Sequence, residues 1–89
     1  MTDKEIKIGH VSDYFAHVGV AAIVITDGSV RVGDVLRFKG HTTDLIQEVS
    51  SMQIEHESVK EAKKGDEIGV KVTDKVRSHD LVYKVVTKE

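Results

Sequence analysis

The sequence predicts an all-β domain rolled into a closed barrel, and three observations carry that expectation. Proline is absent, glycine recurs at turn-like positions, and Val and Ile dominate the apolar residues, which favours several short strands over helices. The same corner is written three times, in VRVGDVLRF, AKKGDEIGVKV and VRSHDLVYKV, each placing a turn residue before an Asp that opens a strand. The fourth strand changes phase: Val49 and Met52 are three apart, Met52 and Ile54 two apart, so strict alternation would send Val49 and Met52 to opposite faces. A bulge at Ser50-Ser51 follows, and such a bend lets a small sheet close on itself and lose its exposed edges.

The elements come in order. A first strand from about Ile6 to Phe15 leads through AHVG into a second, VAAIVI, and Asp27-Gly28 then signals a hairpin, because Gly accepts positive φ without steric cost. The third strand is VLRFK, and the stretch from Lys39 to His56 supplies the fourth. EIGVKV and LVYKVV are the fifth and sixth, while SVKEAKKG reads as at most a turn of helix. In the three corners the turn residue is Gly33, Gly65 or His79, and histidine is one of the few non-glycine types enriched in the left-handed region. His79 is therefore read as architectural.

Length and composition narrow the function. At 89 residues the chain, residues 1–89, is one domain with a thin core, burying roughly 60 to 65% of its unfolded surface. With no cysteine, disulfides and thiolate metal sites are excluded, which fits a reducing compartment and makes a cytoplasmic location the expectation. The N-terminus is charged where a signal peptide needs an apolar stretch, and no apolar run approaches the roughly 20 residues of a membrane helix. A net charge of −2 denies the chain a global positive field, so any RNA contact must come from a local patch. Two Phe, two Tyr and no Trp make a poor stacking platform for bases.

Catalytic and cofactor motifs fail on inspection. Gly28-x4-Gly33 is followed by Asp34-Val35 where a phosphate loop needs Lys-Ser/Thr, so no nucleotide is expected, and no other cofactor. None of His10, His17, His41, His56 and His79 pairs at His-x-x-x-His spacing. With Glu55 and Glu57 pointing opposite to His56 along a strand, no metal is expected either. Ser78-His79-Asp80 has the residue types of a hydrolytic triad, but consecutive residues cannot line up nucleophile, base and acid. No catalytic residue is assigned, and the chain is read as a non-enzyme.

Recognition is the remaining role. Arg37, Lys39 and His41, spaced by two, share one face by alternation and end beside Thr42 and Thr43. This cationic strip ending in hydroxyls is the candidate RNA- or partner-binding site, with Lys60, Lys63 and Lys64 as a second basic cluster; Asp44 is read as capping the corner in an Asx turn. Strand two is apolar on both faces. Ala21, Ile23 and Ile25 alternate with Val20, Ala22 and Val24, so the face turned from the core must be covered by the chain's closing segments or by a partner.

The residues GVAAIVITDGSVRVGDVLRFKG, Val49 through Ile54 and AKKGDEIGVKV resemble the β-barrel that follows the GTPase domain in elongation factor Tu. More closely, KGHTTDLIQEVSSMQIEH and DLVYKV are similar to small elongation-factor-like barrels found alone or at the C-terminus of collagenase-like peptidase family proteins, some of which take part in tRNA modification. The resemblance implies a closed six-stranded Greek-key-like barrel of the translation-factor domain 2 type. It implies a translation- or RNA-associated module contacting tRNA or the ribosome. The alternative is a protein-protein adaptor for a collagenase-like peptidase family partner, engaged through the apolar strand face.

Overall fold

Ten short strands, rather than six, make up the chain in a computed structural model that describes residues 2–88, and no helix occurs among them. They are β1 (Thr2–Phe15), β2 (Val20–Ile25), β3 (Ser29–Arg31), β4 (Val35–Lys39), β5 (Asp44–Glu48), β6 (Met52–Ile54), β7 (Glu57–Val59), β8 (Glu61–Lys63), β9 (Glu67–Lys71) and β10 (Leu81–Lys88). None of them is a helix long and apolar enough to cross a membrane.

All pairings are antiparallel. Eight strands form one ladder in the order β5-β4-β10-β1-β2-β9-β6-β7, and β3 pairs with β8 in a separate ribbon. The expected closed six-stranded barrel is thereby corrected to an open, barrel-like sheet. The physical reason lies at Val49, where the expected bulge is a full break. The Val49 N–H donates to Asp34 O at 2.8 Å and its carbonyl accepts the Gly33 N–H at 2.9 Å, so neither group is free to continue a ladder. Residues 49–51 instead carry the chain from β5 to β6, which lie near opposite ends of the order. Gln47 stitches the gap: its Nε2 donates to Lys71 O at 2.7 Å and its Oε1 accepts the Thr73 N–H at 2.8 Å.

Three further expectations change. The segment 58–65 contributes β7 and β8 rather than a helical turn, because Ala62 is buried opposite Val30 in the ribbon. Asp27-Gly28 does turn the chain, with Gly28 at φ 67, but it hands β2 to β3, which pairs with β8, so no hairpin forms. Glu55 and His56, at φ 50 and 68, are the two-residue turn between β6 and β7; consecutive positive φ marks the turn that matches strand twist, and His56 is not on a strand. The AHVG turn, by contrast, joins β1 and β2 as expected.

The inward side chains of β2 (Ala21, Ile23, Ile25), β4 (Leu36, Phe38), β9 (Ile68, Val70) and β10 (Val82) meet Ile8, Val11, Val49 and Met52 in one core. Each contributes about 1.5–3 kcal/mol if large and fully buried.

The three corners are one structure repeated. Gly33, Gly65 and His79 have φ of 98, 97 and 76. The following Asp34, Asp66 and Asp80 each donate N–H to the carbonyl three residues back, on Arg31, Lys63 and Arg77. Each returns a carboxylate Oδ2 to that residue's N–H at 2.8, 2.9 and 2.9 Å. Only His79 carries a Cβ at the left-handed position, which costs about 1–2 kcal/mol. His79→Gly is expected to hold or raise stability by up to about 1 kcal/mol in denaturant unfolding, while Gly33→Ala and Gly65→Ala each lower it by roughly 1–2 kcal/mol. A loss on His79→Gly larger than that on Gly33→Ala would show that the imbalance is not backbone strain.

Candidate functional site

The cationic strip does not survive as a free surface. Arg37 lies on the outer side of β4, and its Nε and Nη2 donate to Asp44 Oδ1 and Oδ2 at 2.9 and 3.0 Å, while Nη1 donates to Glu5 Oε2 at 2.6 Å. Asp44 therefore holds Arg37 rather than capping the corner. Two carboxylates on one guanidinium leave the patch locally negative. Lys39 is exposed and ends β4, opposite Asp44 in the register. His41 and Thr42 are exposed in the hairpin loop 40–43, beyond the reach of strand alternation, so no continuous face runs from Arg37 to His41. Thr43 is 8% exposed. Lys63 ends β8 and Lys64 leads into the Gly65 corner, while Lys60 lies between β7 and β8.

The catalytic motif is likewise taken apart. Ser78 Oγ donates to Ser12 O at 3.3 Å and the Asp80 carboxylate accepts the Arg77 N–H, so neither touches His79. Among the described residues no three His, Asp or Glu side chains gather as metal ligands.

The outer face of β2 is open. Val20, Ala22 and Val24 stay half-exposed, because the closing strands β1 and β10 join the ladder instead of crossing this face. A groove of ≈ 860 Å³ lies over it. Its floor follows from register: Ala22 of β2 faces Gly69 of β9, which in turn faces Gln53 of β6. Gly69 keeps that floor low, since a Cβ there would press to 3.3 Å from Val20 Cγ1. Phe15 and Val18, 44% and 50% exposed, rise from the β1–β2 turn along one wall. The β6–β7 turn, with Glu55 and His56, forms the other. Ser12, the extra residue where β1 slips register against β2, donates Oγ to Glu67 Oε2 at 2.9 Å at the groove's edge. An apolar floor with a polar rim suits a partner's side chains. The sequence signalled this site only as a second apolar face on one strand.

The profile of the family described as elongation factor Tu domain 2 matches residues 19–79. The chain belongs to that family. It is similar to an uncharacterized protease of Methanocaldococcus jannaschii, 41% identical over 81 residues, covering 90% of this chain and 20% of the relative. It is similar also to a collagenase of Porphyromonas gingivalis, 35% identical over 89 residues, covering 99% of this chain and 22% of the relative. The chain thus spans about a fifth of the length of these curated relatives. In fold it is similar to the C-terminal domain of a Geobacillus thermoleovorans protein assigned to the U32 peptidases. The TM-score is 0.80 at 20% identity, covering 90% of this chain and 91% of that one.

The Arg37 cluster has a pH signature. Hydrogen bonds from Arg37 hold the Asp44 carboxyl below its ordinary value of 3.8, with desolvation opposing them. Hydrogen bonds to Asp44 and then Glu5 hold the Arg37 proton more firmly. A carboxyl whose folded value is depressed lends stability that is fully present above its unfolded value and is lost as pH falls through the folded one. Between about pH 5 and pH 2 the denaturation midpoint of the parent chain is therefore expected to fall more steeply than that of Arg37→Gln. Parallel curves would show that the cluster carries no net stabilisation.

Proposed function

We propose that this chain is a non-enzymatic docking module for a peptidase domain of the collagenase-like, U32 type, and that the groove over β2 is where the two meet. The single observation behind the proposal is the exposed apolar pair Phe15 and Val18 standing over the uncovered outer face of β2. Exposed aromatic and aliphatic anchors beside an apolar floor mark interaction surfaces. The choice of partner draws on the relatives, a protease and a collagenase about five times as long as this chain. The C-terminal domain with the same fold comes from a protein assigned to the U32 peptidases. In such proteins a domain like this one shares a polypeptide with the peptidase domain, so a surface for that domain is the economical reading. The module would act in the cytoplasm, where its lack of cysteine is no handicap.

The other reading, an accessory to tRNA modification or translation that touches tRNA or the ribosome, draws on family membership. Its motivating feature is weakened by Arg37, whose charge is already met by Glu5 and Asp44.

The test is binding to a collagenase-like peptidase from the same genome, prepared without any elongation-factor-like domain of its own. Calorimetry should show a saturable one-to-one complex, weakened by about tenfold or more in a Phe15→Ser, Val18→Ser double variant that retains its fold. Transfer RNA at low salt should not saturate. The reading fails if the peptidase does not bind, if the double variant binds as well as the parent, or if tRNA binds in a manner that depends on Arg37 and Lys39.

A further inference from the structure

A second concavity, of ≈ 340 Å³, lies where the β4–β5 loop meets the corner that feeds β10. Lys39, His41 and Thr42 line it from the loop, and Arg77, Ser78 and His79 from the corner. Gly40 permits the approach, because a Cβ there would sit 1.9 Å from Asp80 Oδ1. A side chain at position 40 would force the two loops apart. Asp80 is the negative group at the base, 6% exposed, with Oδ2 committed to the Arg77 N–H at 2.9 Å.

The charges above it lie outside any close ion pair, although Lys39 acts on Asp44 across the hairpin. Unlike Arg37, neither Lys39 nor Arg77 has a carboxylate within ion-pairing distance among the described residues. The backbone N–H groups of His41, Thr42 and Ser78 have no acceptor within the described chain, and the Thr42 hydroxyl is also unbonded. Two free cations, two imidazoles and unbonded donors around one small concavity repel a cation and offer little to an apolar ligand. They match the oxygens of a tetrahedral anion.

We propose that this pocket binds a single phosphate group. It is a site for one phosphate and not the start of a nucleic-acid track, because on the outer face of β4 and β5 leading away from it Arg37 is already held by Glu5 and Asp44, and Glu48 adds a further carboxylate. A polynucleotide following that face would meet Asp44, Glu48 and Glu5 against a paired Arg37 and the more distant Lys7, too little free positive charge for a run of phosphates. Asp80 below and Asp44 opposite Lys39 oppose the bound anion, so the affinity is modest, roughly millimolar for a free ion. The site is separate from the groove over β2 and shares no lining residue with it.

An amide-resolved NMR titration with inorganic phosphate, at fixed pH and ionic strength, tests the proposal. Saturable shifts are expected at His41, Thr42, Ser78 and His79, and a Lys39→Ala, Arg77→Ala double variant should bind about tenfold more weakly or worse. The core amides of Ile23 and Val70 report whether that variant is folded. A short oligonucleotide should bind with a salt dependence corresponding to about one phosphate. The proposal is overturned if those four amides do not move, if the folded double variant titrates like the parent, or if the oligonucleotide shows the slope of several phosphates.

Discussion

The sheet depends on a reciprocal backbone seam, made three times. At each corner the left-handed residue donates its N–H to a buried residue of another segment, and that residue donates its own N–H to the carbonyl of the corner's Asp. Gly33 and Asp34 hold Val49, Gly65 and Asp66 hold Ile25, and His79 and Asp80 hold Val11, all at 2.8 to 2.9 Å. Val49, Ile25 and Val11 are at most 1% exposed. A buried backbone group left unpaired costs about 1–3 kcal/mol, so opening one seam exposes two such penalties along with core. The exposed Arg31–Glu61 pair, at 4.0 Å, offers at most about 1 kcal/mol by comparison. The corners outweigh the surface charges.

From that constraint the outer wall follows. Each corner launches a strand, β4, β9 or β10, and the registers of these strands decide which side chains share the outside. On the β2–β9–β6 side, register aligns Ala22, Gly69 and Gln53, and the small residues leave a groove. On the β1–β10–β4–β5 side, it brings Glu5 and Asp44 to Arg37, whose charge is met there. The inward side chains pack in one core, and both concavities described above open on the outside. The β4–β5 loop adds a third feature, because Gly40 has no Cβ to keep Asp80 away.

What was legible in the sequence was whatever depended on local residue type. Gly33, Gly65 and His79 are residues that tolerate positive φ, and an Asp after each announces a side-chain acceptor, so the corners could be read directly. The strands VAAIVI and VLRFK show the same limits in the structure as in the sequence. Glu55-His56 reads as strand in the sequence, since no Asp follows His56 as one follows Gly33, Gly65 and His79, and Glu55 carries no turn signal. The pairing of Arg37 was not legible because one partner, Glu5, lies 32 residues away and the other sits diagonally across a hairpin whose loop, 40–43, interrupts the alternation. The closed barrel failed at Val49, where an apolar residue that looked like part of a strand serves a corner instead. The groove was visible only as a strand with two apolar faces, because its shape depends on which residue of β9 faces Ala22.

Native-state amide hydrogen exchange tests the central claim most directly. If the three seams hold the sheet together, the N–H groups of Val11, Ile25 and Val49, with those of His79, Gly65 and Gly33, exchange only through global opening and share its free energy. Fast, independent exchange at any one corner, while the β1–β2 and β4–β10 ladders stay protected, would contradict it.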